Sequence, residues 1–168
     1  MPWEFAWAKM ARISYPRITF PFFGLYGASK FALEALTESY RYELSQSGVD
    51  VVLVQPSTYP TNMFASAQRP ADATRANGYG VVGGIPDKMV GSLLELFQSE
   101  NAPDPHDVAE AIARIVAAPS GSRAARVVVG KPFGTDALNA QSASVQGQVL
   151  AGLGLSQLAD ARLGSAGA

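Results

Sequence analysis

The apolar run "VDVVLVQP", from Val49 to Pro56, constrains the fold of this chain more than any other segment. Its apolar residues follow one another instead of alternating with polar ones, which is typical of a parallel strand that is covered on both faces. A second run of the same kind, "RVVVG" from Arg126 to Gly130, predicts another buried strand. Strands of this kind need helices on both sides, so the two runs predict an α/β fold with a parallel sheet.

A long helical pattern precedes the first run. Its apolar stripe recurs at helical spacing and consists of Leu33, Leu36, Tyr40 and Leu44. A second face carries small side chains, namely Ala28, Ala32, Ala35 and Ser39. Because small side chains allow a close approach, this second face predicts packing against a neighbouring helix or sheet. Gly48 follows the helix at the position where a left-handed C-terminal cap is expected.

The segment between the two strands predicts a loop and two further helices. Residues 57–84 are rich in Pro, Gly, Ser, Thr, Asn and Ala, and a loop of this length is typical of a lid over a ligand. Pro86 fits the first turn of the helix that follows. Asp104 is placed to cap the second helix. The buried stripe of that helix is expected to be Val108, Ile112 and Ile115.

Composition excludes several classes of function. Among the 168 residues, 13 basic and 14 acidic side chains leave a formal charge of −1, which provides no basic surface for nucleic acid or an anionic membrane. The lack of cysteine and the single histidine, His106, exclude disulfides, thiol nucleophiles and the usual metal centres. No segment has the ~20 apolar residues of a transmembrane helix, and the charged N-terminus is a poor signal peptide. We therefore expect a cytoplasmic protein without a metal, nucleic-acid partner or membrane anchor.

The segment "GLYGASKFALEAL" places Tyr26 four residues before Lys30, where the helical pattern begins. Residues four apart lie on one face of a helix, so the two side chains can meet. A phenol is a poor proton donor or acceptor at neutral pH unless a nearby cation stabilises its ionised form. The pair therefore has the chemistry of a general acid–base device. The spacing alone is also that of an exposed pair on a helix surface.

The surroundings of this pair are more specific. The stretch "YGASKFALEALTESYRYELSQSGVDVVLVQPSTYPTNMF" closely resembles the central part of short-chain dehydrogenases/reductases. In that family a Tyr-x-x-x-Lys pair opens a long helix, which an apolar strand and a Pro-Gly-x-x-x-Thr segment follow. The resemblance is strongest over residues 17–64. It implies that residues 1–133 form the C-terminal part of a doubly wound, Rossmann-like parallel sheet with flanking helices, and that residues 134–168 form a partly helical tail that frays at its end.

The resemblance also implies an activity, which is hydride transfer between a nicotinamide cofactor, NAD or NADP, and a small carbonyl compound or secondary alcohol. Tyr26 is then the catalytic acid–base, and Lys30 stabilises the ionised tyrosine and binds the nicotinamide ribose. In "PSTYPT", the positions that correspond to cofactor contacts are Pro56, the Tyr59 backbone and Thr61. The equivalent helix of the family commonly forms a dimer interface, which implies a homo-oligomer.

The chain departs from the family pattern near its predicted catalytic centre. Family members carry a catalytic serine, at the end of a buried strand, where Ile13 stands here, and the nearest serine is Ser14. Ser14 is either that serine, shifted by one position, or an ordinary N-terminal serine, and the lack of a Val-rich strand pattern before it favours the second. Ser57 stands where the family has glycine. That replacement is unfavourable if the position requires a positive φ.

The phosphate-binding glycine turn of the family, Gly-x-x-x-Gly-x-Gly, does not precede Tyr26. The segment "GYGVVG", from Gly78 to Gly83, has the spacing of a nucleotide-binding loop, but it follows a polar stretch and precedes Pro86. A nucleotide-binding loop of this type lies between a strand and a helix. We therefore interpret these glycines as part of a flexible loop.

Two functions remain open from the sequence. One is an NAD(P)-dependent oxidoreductase of the short-chain type, with Tyr26, Lys30 and Ser14 as its catalytic candidates. The other is a truncated, non-catalytic relative of that family that acts only as a structural or oligomerising polypeptide. The two hypotheses differ in whether the chain binds a dinucleotide.

Overall fold

A computed structural model describes residues 11–12, 18–63, 74 and 78–159 of the chain. These residues include a parallel sheet of three strands in the order β1-β2-β3, formed by Ala11–Arg12 (β1), Leu53–Pro56 (β2) and Arg126–Val129 (β3). Leu53 of β2 lies between Ala11 of β1 and Arg126 of β3. The parallel sheet, with helices packed against it, confirms the α/β fold class.

Four α-helices accompany the sheet in the described part of the chain: Gly24–Leu44 (α1), Ile85–Gln98 (α2), His106–Ala117 (α3) and Thr135–Gly152 (α4). Shorter 3-10 helices occur at Ser45–Ser47, Gly80–Gly84 and Ser156–Leu158. Among the described residues, no helix has the length and apolar character needed to cross a membrane.

The chain divides into two compact units. One unit consists of residues 1–57 together with residues 107–168, and the other consists of residues 58–106. The sheet, α1 and α4 belong to the first unit, and α2 belongs to the second. The division at residue 133 that the sequence suggests stays a prediction.

The core of the first unit is built on β2. Every residue of this strand is buried, as the unbroken apolar run predicts. Leu53 is 2% exposed, and Leu33 of α1 packs against it. Because β2 pairs with a strand on each side and is covered by side chains, its backbone and its apolar surface are both removed from water.

The predicted helix boundaries agree with the structure. Gly48 ends the turn after α1 with φ 70°, in the left-handed region that favours glycine. Pro86 lies in the first turn of α2. At the start of α3, the Asp104 carboxylate accepts a hydrogen bond of 2.8 Å from the backbone N–H of His106. This bond satisfies one of the free N–H groups at the helix N-terminus.

The predicted apolar stripe of α1 is wrong in part. Leu36 is 48% exposed, whereas the buried side chains of this helix are Glu34 and Thr37. Thr37 donates a hydrogen bond from its hydroxyl to the carbonyl of Leu33 at 2.7 Å. The polar residues are inside because Glu34 forms an ion pair with Arg126 of β3, a partner that helical spacing alone does not reveal.

Arg123 joins the end of α3 to the segment that leads into β2. Its guanidinium forms an ion pair with the buried Asp50 at 2.6 Å. The same group donates hydrogen bonds to three backbone carbonyls at the C-terminus of the helix, those of Ile115, Val116 and Ala118. Carbonyls at a helix C-terminus lack partners within the helix, so one side chain caps α3 and neutralises Asp50.

Helix α4 is connected to the sheet by a reciprocal amide pair. The side-chain amide of Asn139 donates to Gln55 of β2 at 2.7 Å, and the Gln55 amide donates back at 3.4 Å. Leu150 is buried, whereas Val145, Val149 and Leu153 are exposed. The expected fraying of the C-terminal end falls mainly on residues outside the described ranges.

Strand β1 is the element that the sequence did not predict. It has two residues, Ala11 and Arg12, which pair with Leu53 and Val54 of β2. Two residues are too few for any periodicity, and alanine and arginine are weak strand formers. β1 ends two residues before Ser14 and contains no valine, in agreement with the lack of a Val-rich strand pattern there.

Candidate active site

The first turn of α1 carries the tyrosine of the candidate site. The helix begins at Gly24, and the N–H of Gly27 donates the first helical hydrogen bond to the carbonyl of Phe23 at 2.7 Å. Tyr26 is the third residue of the helix and is half-buried. Side chains in a helix tilt toward its N-terminus, where the helix dipole favours negative charge.

Tyr26 and Lys30 are in contact. The ammonium nitrogen of Lys30 lies 5.3 Å from the centroid of the Tyr26 ring, within the range of a cation–π interaction. The ring of Phe23 meets the same tyrosine edge-on, with centroids 6.5 Å apart and an interplanar angle of 75°. The first turns of α1 thus place the ammonium of Lys30 and the ring of Phe23 next to the ring of Tyr26.

The backbone around the pair is secured by a local hydrogen bond. The hydroxyl of Ser29 donates to the carbonyl of Tyr26 at 2.7 Å. Bonds of this kind are common in the first turns of helices, where serine competes well for backbone groups. The bond reinforces the turn that separates Tyr26 from Lys30.

Pro56 and Ser57 lie at the carboxyl end of β2, and both are buried. The N–H of Ser57 donates to the carbonyl of Val129 at 2.8 Å, which continues the pairing between β2 and β3. Ser57 is not among the residues with positive φ. Serine is therefore accommodated here without backbone strain, and the concern about the missing family glycine does not apply to this conformation.

The other predicted cofactor contacts belong to the second compact unit. Tyr59 is buried, whereas Thr61 is exposed and its hydroxyl accepts a 3.5 Å hydrogen bond from the N–H of Met63. Their roles stay predictions. Ser14 lies outside the described residues, so its role also stays a prediction.

The segment "GYGVVG" forms an exposed turn. Residues Gly80–Gly84 make a 3-10 helix that leads directly into α2. Gly80 has φ 56°, and a side chain added there would meet nothing within 4 Å. The glycine is thus required by the backbone conformation of the turn and not by a close approach within the chain.

The donor set of the described residues fits one end of a nicotinamide dinucleotide. An ammonium group and a phenol hydroxyl at the start of a helix suit the hydroxyls of the nicotinamide ribose and a reacting oxygen. The fit does not extend to the phosphates, because the Gly-x-x-x-Gly-x-Gly turn is missing from this sequence. The residues present therefore match the reactive end of such a cofactor and leave its phosphate end without a matching motif.

Comparisons with known proteins agree with this chemistry. A family model described as short chain dehydrogenase matches residues 15–72, which include Tyr26, Lys30 and β2. A curated relative, the NADPH-dependent 3-dehydrocapnine reductase of Ornithobacterium rhinotracheale, is 33% identical over 79 residues. Residues 15–72 of the chain are thus similar to short-chain dehydrogenases.

The chain spans only part of the length of the proteins that it matches. The aligned segment is 47% of this chain and 28% of the curated reductase. A solved short-chain dehydrogenase from Streptomyces avermitilis is 25% identical, with a TM-score of 0.49 over 90% of this chain and 52% of that chain. The chain thus spans from about a quarter to about half of the length of these relatives.

Two features of the site region were missed by the sequence analysis. One is β1, which places a strand end just before Ser14. The other is the contact of Arg126 with two carboxylates of α1, at Glu34 and Glu38. The spacing of the two glutamates, four residues apart on the helix of the Tyr-x-x-x-Lys pair, was the signal available in the sequence.

Proposed function

We propose that this chain provides the proton-transfer centre of an NAD(P)-dependent oxidoreductase that interconverts a small carbonyl compound and a secondary alcohol. The observation that carries the proposal is the contact of the Lys30 ammonium with the Tyr26 ring, at 5.3 Å, in the first turns of α1. The match of residues 15–72 to the short-chain dehydrogenase model and the similarity to a curated reductase support it. The cytoplasmic location and the small-molecule substrate expected from the sequence are part of the same proposal.

In the reducing direction, the phenol of Tyr26 donates its proton to the substrate oxygen and becomes a phenolate. Lys30 stabilises that phenolate and directs its ammonium donors at the ribose hydroxyls. The nicotinamide supplies hydride to the carbonyl carbon when it is bound. A proton from solvent restores the phenol, and the oxidising direction reverses each transfer. Ser14 would donate a hydrogen bond to the substrate oxygen.

The remaining predicted contacts would orient the reactive ring. Pro56, at the end of β2, would border it, and the backbone of Tyr59 would meet the carboxamide. Thr61 would contact the cofactor through its exposed hydroxyl. Ligands of open parallel sheets bind at the carboxyl ends of the strands, which is where Pro56 lies.

Saturation-transfer NMR with NADPH tests this assignment. We expect transfer from the protein to the nicotinamide and its ribose. We also expect Lys30→Met to weaken binding by about 10- to 150-fold, because one charge-assisted hydrogen bond is worth roughly 1.5–3 kcal/mol. The matched control is Lys131→Met, which removes an exposed lysine. Equal affinities of the Lys30 and Lys131 variants would refute the role of Lys30.

The small face of α1 favours self-association, which is also what the non-catalytic alternative would rely on. Ala28, Ala32, Ala35 and Ser39 are all exposed, and so are the neighbouring Phe31 and Leu36. Exposed apolar side chains around a stripe of small residues are typical of an interface between helices. We therefore include a homo-oligomer in the proposal.

Sedimentation of the variant Ala35→Glu checks the interface. A glutamate on this face places a charge in the contact between copies, so we expect the variant to sediment as a monomer while the wild-type chain does not. Ala113→Glu, at an exposed position of α3, is the matched control and should sediment like the wild type. A monomeric wild type, or an Ala35 variant that still associates, would contradict this interface.

A further inference from the structure

The fully buried side chains of α1 are polar. Glu34 is 2% exposed and Thr37 is buried beside it, whereas the apolar contribution comes from Leu33 against Leu53. Leu36, which an amphipathic pattern would place inside, faces solvent. Apolar packing is non-directional and sets the orientation of a helix weakly when few apolar residues take part. The rotation of α1 against the sheet must therefore depend on its polar contacts.

A single guanidinium connects α1 to β3. The Nε atom of Arg126 lies 3.4 Å from a carboxylate oxygen of Glu34, and its Nη2 atom contacts a carboxylate oxygen of Glu38. The three side chains are 12%, 3% and 22% exposed, so screening by solvent is limited. We call this arrangement the Arg126 bridge. In this bridge, the guanidinium of Arg126, the first residue of β3, contacts carboxylates on two successive turns of α1.

The Arg126 bridge restrains the rotation of α1. The contact of Nε with Glu34 is electrostatic and lies outside hydrogen-bond geometry, and the same guanidinium also contacts Glu38 one turn later on the helix. A rotation of the helix by about 20° would displace an atom at its outer radius by about 2 Å. Such a rotation would break at least one of the two contacts.

The same helix row carries the candidate catalytic pair. Lys30 precedes Glu34 by one turn, and Tyr26 precedes it by two turns. An uninterrupted helix transmits a rotation at Glu34 to both of these positions, and α1 is continuous from Gly24 to Leu44. Misplacement of a reacting group by about 1 Å can lower turnover by about 10²-fold.

We infer that Glu34 is a positioning residue, which sets the orientation of Lys30 and Tyr26 through the Arg126 bridge. The inference rests on the proposed function for its catalytic meaning. The dependence of the Lys30 position on the Arg126 bridge can be measured without cofactor or substrate. If Glu34 and Arg126 only stabilised the fold, their replacement would lower the free energy of unfolding. Lys30 would then keep its position in every variant that still folds.

The double variant Glu34→Met with Arg126→Met separates these two roles. Replacement of both partners of a buried ion pair by apolar side chains of similar volume is often neutral or stabilising. The fold is therefore expected to survive, with the directional contact removed. The matched control exchanges the exposed pair of α3, Glu110 and Arg114, for methionine in the same way.

The readout is the rate at which an N-hydroxysuccinimide ester acylates Lys30, measured by mass spectrometry. Lys88 and Lys131, both exposed, are the internal references. We expect acylation of Lys30 to rise several-fold in the double variant, with unchanged rates at the two references and an unfolding midpoint close to that of the wild type. A wild-type rate at Lys30 in the folded double variant would overturn the inference.

The variant Glu34→Gln covers the case in which the double variant fails to fold. Glutamine keeps the volume of the side chain and removes its charge, and Glu43→Gln on the exposed face of α1 is its control. A several-fold rise in the acylation rate of Lys30 in Glu34→Gln, without such a rise in Glu43→Gln, supports the inference. Equal acylation rates of Lys30 in these two variants contradict it. Failure of the wild-type chain to bind NADPH would remove the proposed function and leave the acylation result intact, so the two failures are distinguishable.

Discussion

Replacement of Tyr26 by phenylalanine is expected to lower turnover by about 10²–10⁴-fold, the range for removal of a general acid–base group. Phenylalanine retains the ring that contacts Phe23 and Lys30, so the start of α1 and the location of the ammonium should be preserved. The substitution removes only the hydroxyl that, in the proposed function, exchanges a proton with the substrate oxygen. We therefore expect the affinity for NADPH to change little while turnover falls.

Tyr42→Phe is the matched control for this experiment. Tyr42 lies on the same helix, is also half-buried, and has a cation, Arg41, 5.5 Å from its ring centroid. The assay follows the oxidation of NADPH in the presence of a panel of aldehydes and ketones, first with the wild-type chain and then with the two variants. If the Tyr26 and Tyr42 variants retain the same turnover, Tyr26 is not the acid–base.

The largest effect on stability is expected from Arg123→Met. This variant leaves Asp50 buried without its guanidinium partner and removes the cap from α3, and loss of one partner of a buried ion pair costs about 3–5 kcal/mol. The side chains of both residues are less than a tenth exposed, so solvent compensates little. Since domains of this size are stable by about 5–15 kcal/mol, the variant loses a large fraction of its free energy of unfolding.

Arg114→Met provides the control for the stability measurement. Arg114 forms an ion pair with Glu110 on the surface of the same helix, where the two side chains are 71% and 56% exposed. Exposed pairs of this kind contribute about 0–1 kcal/mol. Urea denaturation of both variants should therefore give a large loss for Arg123 and a small one for Arg114. Equal losses would mean that the pair of Arg123 with Asp50 contributes no more than a surface contact.

Elements with strong local signals were predictable from the sequence. The unbroken apolar runs gave β2 and β3 and their parallel pairing, and Gly48 and Asp104 marked the ends of two helices. In each case the responsible interaction lies within a few residues or follows from continuous burial. The contact of Tyr26 with Lys30 is of the same local kind, since helical spacing alone brings the two side chains together.

Elements that depend on distant partners were not predictable in this way. Glu34 is a polar residue in a helix, and its burial follows from Arg126, which is far along the chain. Leu36 was assigned to the buried stripe because hydrophobicity was the only criterion available. β1 forms because its backbone pairs with β2, since its own two residues have low strand propensity. These features depend on tertiary contacts between residues that are far apart in the sequence, and hydrophobic periodicity does not reveal such contacts.

The central claim is that the pair at the start of α1 serves a nicotinamide cofactor. Its most direct test is a titration of the purified 168-residue chain with NADPH and with NADH, followed by nicotinamide fluorescence. The account predicts saturable binding of at least one of them, weakened by Lys30→Met. The absence of saturable binding up to millimolar cofactor would contradict it, and Tyr26 and Lys30 would then be a helix pair without a cofactor to serve.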